Sequence, residues 1–446
     1  MRPPKRSRSD SEDVEQPFLD DATPPSSPPL QRRDRWRTQT KAALAILLLT
    51  LLFLLAMLLP PPVSRSDSRL QRSNNTLIPI PVFTGVNDDE DTGNWTLALP
   101  ASPLTPGAMA RTCAAVHHRS HLHRGYYYVD PKFVDPTAGA AGNGSLTYSL
   151  AAGGWGLAES LLEVFSAYGL AVHEGRRFAL DDSGWRWGAW SDYFSSSSSS
   201  SERRVEVGLP CPRSAHRLAV SHATRTFVFG HEFTDQFENP TKAGSLRQDG
   251  IFALMRSGVE GMFRLRADLR VQVERRKKEL ARELGEGAWV GVHVRRGDWK
   301  PRTWKWRNEP GGVPLDVVAD IAAELSGGRG RVVVMSDDPT VPGAPQLAGS
   351  IPAVESGMHG VLEGGWSRAG FEGLTVDERR FVGRRFLVEM AVVAELAGEG
   401  TEGGVVCAAG SATCRLLAVL VGWENSILAQ RWRDVDGGLG WSGVDW

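Results

Sequence analysis

The chain has 446 residues, 41% of them apolar and 23% charged, enough for more than one globular core. Lys and Arg number 51 against 52 Asp and Glu, and the resulting net charge of −1 excludes the strongly basic domain of a typical nucleic-acid binder. The 4 cysteines are too few for a disulfide scaffold, and the composition also excludes a collagenous, coiled-coil or wholly disordered chain.

Residues 1–41 are rich in Pro, Ser and charge without hydrophobic period, and read as a disordered tail. Ala42 to Leu59 is then an uninterrupted apolar run between Lys41 and Pro60-Pro61-Pro62. As a helix such a run rises about 27 Å, enough to cross a thin bilayer. A cleavable signal peptide has a shorter apolar region close behind a short basic start, whereas a long polar tail precedes this one. Arg32, Arg33, Arg35, Arg37 and Lys41 outweigh Arg65, Arg69 and Arg72 beyond the run, which directs the tail to the cytosol. The expectation is a single-pass type II signal anchor at 42–59, in a Golgi or ER membrane, with the rest of the chain lumenal.

Residues 60–108, rich in Pro, Thr, Asn and Asp, read as a stem. N-glycosylation sequons begin at Asn74, Asn94 and Asn143, on the same side as all four cysteines (Cys113, Cys211, Cys407, Cys414). Three disulfide pairings are open, and the spacing does not suggest zinc.

From about residue 110 short apolar strands alternate with helices. Tyr126–Val129 and Thr226–Phe229 are predicted strands, and Leu157–Tyr168 is a predicted helix entered from the turn Gly153–Gly156. Ser195–Ser201 reads as a surface insertion. A charged helix over Phe263–Leu284 leads to a second unit with strands Trp289–Val294, Val332–Met335 and Gly404–Cys407. Its helices lie near Leu315–Leu325, Glu378–Leu396 and Ala412–Val421. Such alternation predicts open parallel α/β sheets in two units, 109–284 and 285–446, facing a cleft.

Three strands of the second unit end in polar residues: Gly291–Lys300, Val332–Pro339 and Val405–Ala418. Ligands of parallel sheets bind beyond the carboxyl ends of strands, so these loops converge on one crevice. The residues suit a diphosphate. Arg295 and Arg296 offer forked donors that match phosphate oxygens. Ser411 stands at the start of a helix whose free amides favour an anion, with Arg415 one turn on. Asp337 and Asp338 are acceptors for ribose hydroxyls or a purine amino edge. No Asp-x-Asp metal signature is present, and two arginines can carry the charge of a departing diphosphate without a metal. The plainer alternatives are a solvated Arg-Arg rim, a capping turn at Asp337-Asp338, and a surface ion pair at Arg415.

His293–Arg296, Ser336–Pro339 and Ser411–Arg415, in this order, resemble the motifs of the α1,6-, α1,2- and protein O-fucosyltransferase superfamily, nearest its α1,6 branch. More loosely, Gly154-x-Gly156 and Glu174–Asp182 are similar to the family's opening segment. The resemblance spans about residues 125–440. It implies a GT-B-like fold of two Rossmann-like domains behind the membrane helix and stem. It also implies GDP-fucose as donor substrate, inversion at the anomeric carbon, and no metal or other cofactor. By position, Arg295 would bind the β-phosphate and stabilise leaving GDP, His293 and Glu389 would contact guanine, and Ser411 would bind phosphate. The family lysine after the Arg-Arg pair falls on Trp299, with Lys300 one place late. The family's candidate base matches Glu309 before Pro314 if about five residues are inserted.

An inverting transfer needs a carboxylate near the acceptor hydroxyl. Glu309 is the first choice and Glu159 the second. Trp304 and Trp306 are candidate aromatic platforms for the acceptor sugar, whereas the C-terminal tryptophans read as core. The predicted activity is transfer of fucose from GDP-fucose to a glycan or glycoprotein. The alternatives are a silent relative that binds glycan or nucleotide, and a transferase using another GDP-sugar.

Overall fold

Thr105-Pro106 starts the first helix of the fold: the Thr105 side chain accepts from the Ala108 amide at 3.4 Å, and Pro106 takes the first turn, where no amide partner is needed. The computed structural model describes residues 94–100, 103–119, 127–140, 142–151, 156–195, 207–285, 289–309, 311–328, 331–354, 365–398, 403–438 and 440–443. Trp95–Thr96 pairs in parallel with Phe133–Val134, and Leu97 is buried. Residues from 94 onward therefore belong to the folded body, and the expected stem to 108 is too long. Its last segment has apolar side chains to bury and a helix-start signal.

The first sheet has three parallel strands, β1 (Ser145–Ser149), β2 (Arg177–Asp181) and β3 (Arg217–Ser221), in the order β2-β1-β3. Helix α1 (Leu157–His173) links β1 to β2 and packs against α2 (Asp249–Met262). Both helices approach through glycine: a Cβ on Gly169 would meet the Leu254 carbonyl oxygen at 2.0 Å, and one on Gly258 the Phe165 carbonyl oxygen at 2.3 Å. Helix α3 (Ala267–Leu284) follows a short turn, so the predicted single helix over 263–284 begins four residues late.

The predicted strand Thr226–Phe229 is instead a helical turn, Arg225–Val228. The sheet position beside β1 is taken by Arg217–Ser221, whose alternation of Leu218 and Val220 buries one face. Beyond it Thr224 Oγ1 accepts from the Ser221 amide at 3.1 Å and turns the chain back.

The second sheet contains β4 (Trp289–Val294), β5 (Arg331–Ser336), β6 (Ile351–Pro352), β7 (Gly403–Cys407) and β8 (Trp432–Asp434). All pairings are parallel, in the order β6-β5-β4-β7-β8. Numbered within the sheet this is 3-2-1-4-5, the doubly wound order, with the winding reversed between β4 and β7. Val290, Val292, Val294, Val334 and Val406 face one apolar cluster with α4 (Leu315–Leu325). Val333, Met335, Val405 and Cys407 face the main core with α5 (Val376–Gly398) and α6 (Ala412–Val421). Helices cover both faces, which explains why these strands read as continuous apolar runs. The main core also contains α1 and α2, so both sheets share it. Ion pairs add to the contact: Arg270 of α3 pairs with Glu395 of α5, and Lys277 Nζ reaches Glu395 at 2.9 Å.

Cys113 is bonded to Cys211, and Cys407 to Cys414. Among the described residues no helix is long and apolar enough to cross a membrane. The tail, the apolar run Ala42–Leu59, the sequon at Asn74, Gly153–Trp155 and most of the serine run lie outside the described residues.

Candidate functional site

A cavity of about 390 Å³ opens at the carboxyl ends of β4 and β7, where the second sheet reverses its winding. The first turns of α1 and α6 also line it. Brought together on its wall are His293, Arg295, Asp337, Glu389, Ser411 and Arg415, residues drawn from positions 293 to 415 of the chain.

His293, the fifth residue of β4, is 4% exposed. Burial, and secondarily the charge of Arg295, push its pKa down to about 3, so the ring is neutral at ordinary pH. Its Nδ1 is buried with no hydrogen-bond partner among the described residues, as is Trp187 Nε1 on the same wall. Glu389, from the middle of α5, is 7% exposed, and burial lifts its carboxyl to about 7 against the pull of Arg385 one turn away at 3.4 Å. A neutral imidazole and a carboxyl whose pKa burial raises are a donor–acceptor set for the edge of a nitrogen heterocycle.

Arg295 stands just past β4. It pairs with Asp337, reaches Asp298 at 3.2 Å, and lies 5.0 Å from the Trp366 ring centroid. Asp337 also accepts from the Arg296 amide at 2.7 Å, and burial is the main influence raising its carboxyl. The Arg295 guanidinium is thus held by an aromatic face and two carboxylates. Gly297 makes this packing possible: its φ is +59°, and a Cβ there would meet the Trp366 carbonyl oxygen at 1.9 Å.

Across the winding reversal, Ser411 sits at the N-terminus of α6, and its hydroxyl does not cap the helix. The Cys407–Cys414 bond ties the end of β7 to the first turn of α6, closing the loop that carries Ser411. Arg415 is buried behind that turn. Burial, with the nearby Arg302 charge, lowers its pKa to about 10, which leaves it cationic near neutral pH. Two guanidinium groups and a helix N-terminus therefore share one wall, an arrangement suited to a dianionic diphosphate.

Several expected residues lie elsewhere. Arg296 is not on the wall; its side chain donates to the Val313 carbonyl at 3.1 Å, and only its amide serves the site, through Asp337. Asp338 accepts from the Thr340 amide and hydroxyl at 2.9 and 2.7 Å, closing a turn rather than facing the cavity. Glu309 is exposed in the turn ending at Gly312 and does not line the cavity. Trp304 is 86% exposed away from the cavity, and Trp306 packs on the outer apolar cluster with Lys305 Nζ 4.2 Å over its ring. Among the described residues the aromatic rings on the wall are instead Trp187, Trp299, Trp366 and Phe386, besides the His293 imidazole.

Sequence reasoning named Glu159 only as its second candidate base and missed the other groups of the first sheet. Glu159, in the first turn of α1, lines the cavity. Behind it Glu163 accepts from Tyr148 Oη at 2.6 Å and faces His222 Nδ1 at 2.8 Å. Arg225 pairs with Glu163 and reaches Glu159 Oε1 at 2.8 Å. Burial alone would raise the Glu163 carboxyl, but the bonds from His222, Arg225 and Tyr148 bring it below its ordinary value; His222 is raised in turn, chiefly by Glu163. Glu159, Glu163 and His222 present ligand atoms within 4.8 Å of one another, a spacing that suits a metal ion. The Arg225 guanidinium already lies between them, so they do not fit a resident metal. Reading 226–229 as a strand concealed this cluster.

No protein-family profile matches the chain, and no curated protein matches it. Solved structures that resemble it include NodZ α-1,6-fucosyltransferase co-crystallised with GDP (14% identity, TM-score 0.34, 63% of this chain and 93% of that one). NodZ from Bradyrhizobium overlaps at 14% identity and TM-score 0.34, over 64% of this chain and 97% of the other. A variant of Arabidopsis thaliana FUT1 in complex with GDP overlaps at 10% identity and TM-score 0.36, covering 71% and 72%. Overlaps this loose decide nothing about activity, which has to be argued from the residues of the cavity.

Proposed function

We propose that the cavity binds a guanine nucleoside diphosphate-sugar, GDP-fucose, and that the protein transfers fucose to a hydroxyl of a glycan or glycoprotein with inversion. The observation that carries the donor assignment is the joint wall: buried His293 and Glu389, with Arg295, Arg415 and the α6 N-terminus. The first pair matches the N–H and carbonyl edge of guanine; the second matches a diphosphate. The two parallel sheets sharing this cavity are consistent with a GT-B-like arrangement. Fucose itself rests on the resemblance of the His293, Ser336 and Ser411 segments to fucosyltransferase motifs. Charge developing on the departing diphosphate would be neutralised by Arg295 and Arg415, so the reaction needs no metal. The apolar run 42–59 and its basic flank support a type II anchor in a Golgi or ER membrane, with the cavity lumenal.

The test is release of GDP from GDP-fucose by the purified protein in the presence of a mixed glycan pool and a chelator. Acceptor-dependent release, with a mass gain of one deoxyhexose on the acceptor, is the expected result. Tight GDP binding without turnover on any acceptor would instead support a silent nucleotide-binding relative, a reading that the position of Glu309 outside the cavity favours.

A further inference from the structure

We infer that Glu159 is the catalytic base that takes the proton of the acceptor hydroxyl, and that Arg225, held by Glu163, which Tyr148 and His222 fix in turn, is the positioning residue that aims it. The inference rests on the donor reading above but concerns the part of the cavity lined from the first sheet. Among the described residues four carboxylates line the cavity: Glu159, Asp298, Asp337 and Glu389. Asp298 and Asp337 are both committed to Arg295, and Glu389 is buried beside Arg385. Glu159 alone comes from the first sheet, and its side chain is 34% exposed. Arg225 holds Oε1 at 2.8 Å, and among the described residues Oε2 takes no hydrogen bond.

Topology gives the same answer independently. The first sheet, ordered β2-β1-β3, also reverses its winding, between β1 and β3. The chain leaving β1 leads to Glu159, and the chain leaving β3 leads to His222 and Arg225. The crevice of the first sheet thus opens on the same cavity, at the kind of sheet edge where α/β folds bind ligands. Glu163, one turn below Glu159 on α1, is fixed from three sides, so the guanidinium bridging the two carboxylates has little freedom. Rigid support behind the acting group is what a positioned base requires.

The step balances as a single displacement. The acceptor oxygen forms its bond to the anomeric carbon on the face opposite the diphosphate while its proton passes to Glu159 Oε2. The bond from the anomeric carbon to the phosphate oxygen breaks, and its electron pair leaves with GDP beside Arg295 and Arg415. Glu159 then returns its proton to solvent.

The experiment compares the wild-type full chain with Glu159→Gln, Glu159→Ala, Arg225→Ala and Arg225→Lys, reading fucosyl transfer and, separately, thermal stabilisation by GDP. Loss of a general base typically lowers turnover by about 10²–10⁴-fold. Glu159→Gln is expected to lose that much transfer while keeping the GDP stabilisation, and formate is expected to restore part of the rate to Glu159→Ala. Arg225→Ala is expected to lower kcat with the donor KM unchanged, and Arg225→Lys to recover part of it. Full transfer by Glu159→Gln overturns the inference and leaves the donor reading standing. Loss of GDP stabilisation together with transfer in Glu159→Gln also overturns it, because the residue would then be supporting the fold. A wild-type protein that GDP does not stabilise refutes the donor reading, and the inference falls with it.

Discussion

Arg295→Ala is the perturbation whose consequences the geometry defines most fully. The guanidinium is largely buried between Asp337, Asp298 and the Trp366 ring, so its removal acts in two ways. The ligand loses charge-assisted hydrogen bonds, each contributing about 1.5–3 kcal/mol, or roughly 10- to 150-fold in affinity. Asp337 is also left buried without its cation, which typically destabilises a fold by about 3–5 kcal/mol and sets a negative charge beside the diphosphate. The single variant should therefore bind GDP at least about 100-fold more weakly, and its transfer rate should fall by about 10²–10³. Asp337→Asn in the Arg295→Ala background removes the stranded charge, so it should recover stability but only part of the affinity. Calorimetric titration with GDP, with melting curves of the free proteins, separates the two effects. Wild-type GDP affinity in Arg295→Ala would refute the placement of the diphosphate at this wall.

The remaining predictions concern the base end, the loop tie and the outlying residues. Guanine binding calls for the ionised form of Glu389, whose pKa is raised to about 7 in the free protein, so GDP affinity should weaken as pH falls through 7, approaching tenfold per unit below it. The sign for folding is opposite: this raised carboxyl contributes stability below its ordinary value of 4.5 that is lost as pH rises through about 7, and Glu389→Gln should flatten both profiles. Replacing Cys407 and Cys414 together by Ser should weaken GDP binding about tenfold by freeing the Ser411 loop, measured by the same titration. Glu309→Gln and Trp304→Ala should change melting and turnover little, since both side chains are exposed outside the cavity; a large loss of turnover in either would show that this loop closes over the acceptor.

What the sequence displayed and what it hid divide along physical lines. The three central strands of the second sheet were legible because helices cover both their faces and they read as apolar runs, whereas the short edge strands Ile351–Pro352 and Trp432–Asp434 show no such run and were missed; Leu315–Leu325 and Ala412–Val421 are helices over the predicted spans. Arg295, Asp337 and Ser411 on the cavity wall were legible for the same reason, since they follow those strands, whereas Glu389, in the middle of α5, was reached only through the family resemblance. The first sheet was obscure: Ser145–Ser149 and Arg217–Ser221 mix Ser, Thr and Arg with their apolar residues and leave little periodic signal. Thr226–Phe229 alternates like a strand, yet tertiary pairing had already filled that place in the sheet. Glu159, Glu163, His222 and Arg225 form a site only because α1 and the turn after β3 meet, over sequence separations of 59 to 66 residues that no local pattern reports. Asp337 looked like a ligand contact, and its larger role is to hold Arg295; a short Asp-Asp pair cannot reveal which partner each carboxylate will take.

The most direct test of the central claim is the thermal shift of the purified protein with GDP, UDP and CMP in the presence of a chelator. A ligand at 100 times its dissociation constant stabilises the folded state by about 2.7 kcal/mol, a visible rise in Tm. The account predicts that GDP raises Tm, that UDP and CMP do not, and that Arg295→Ala abolishes the response. Equal shifts with all three nucleotides, or none with any, would contradict it.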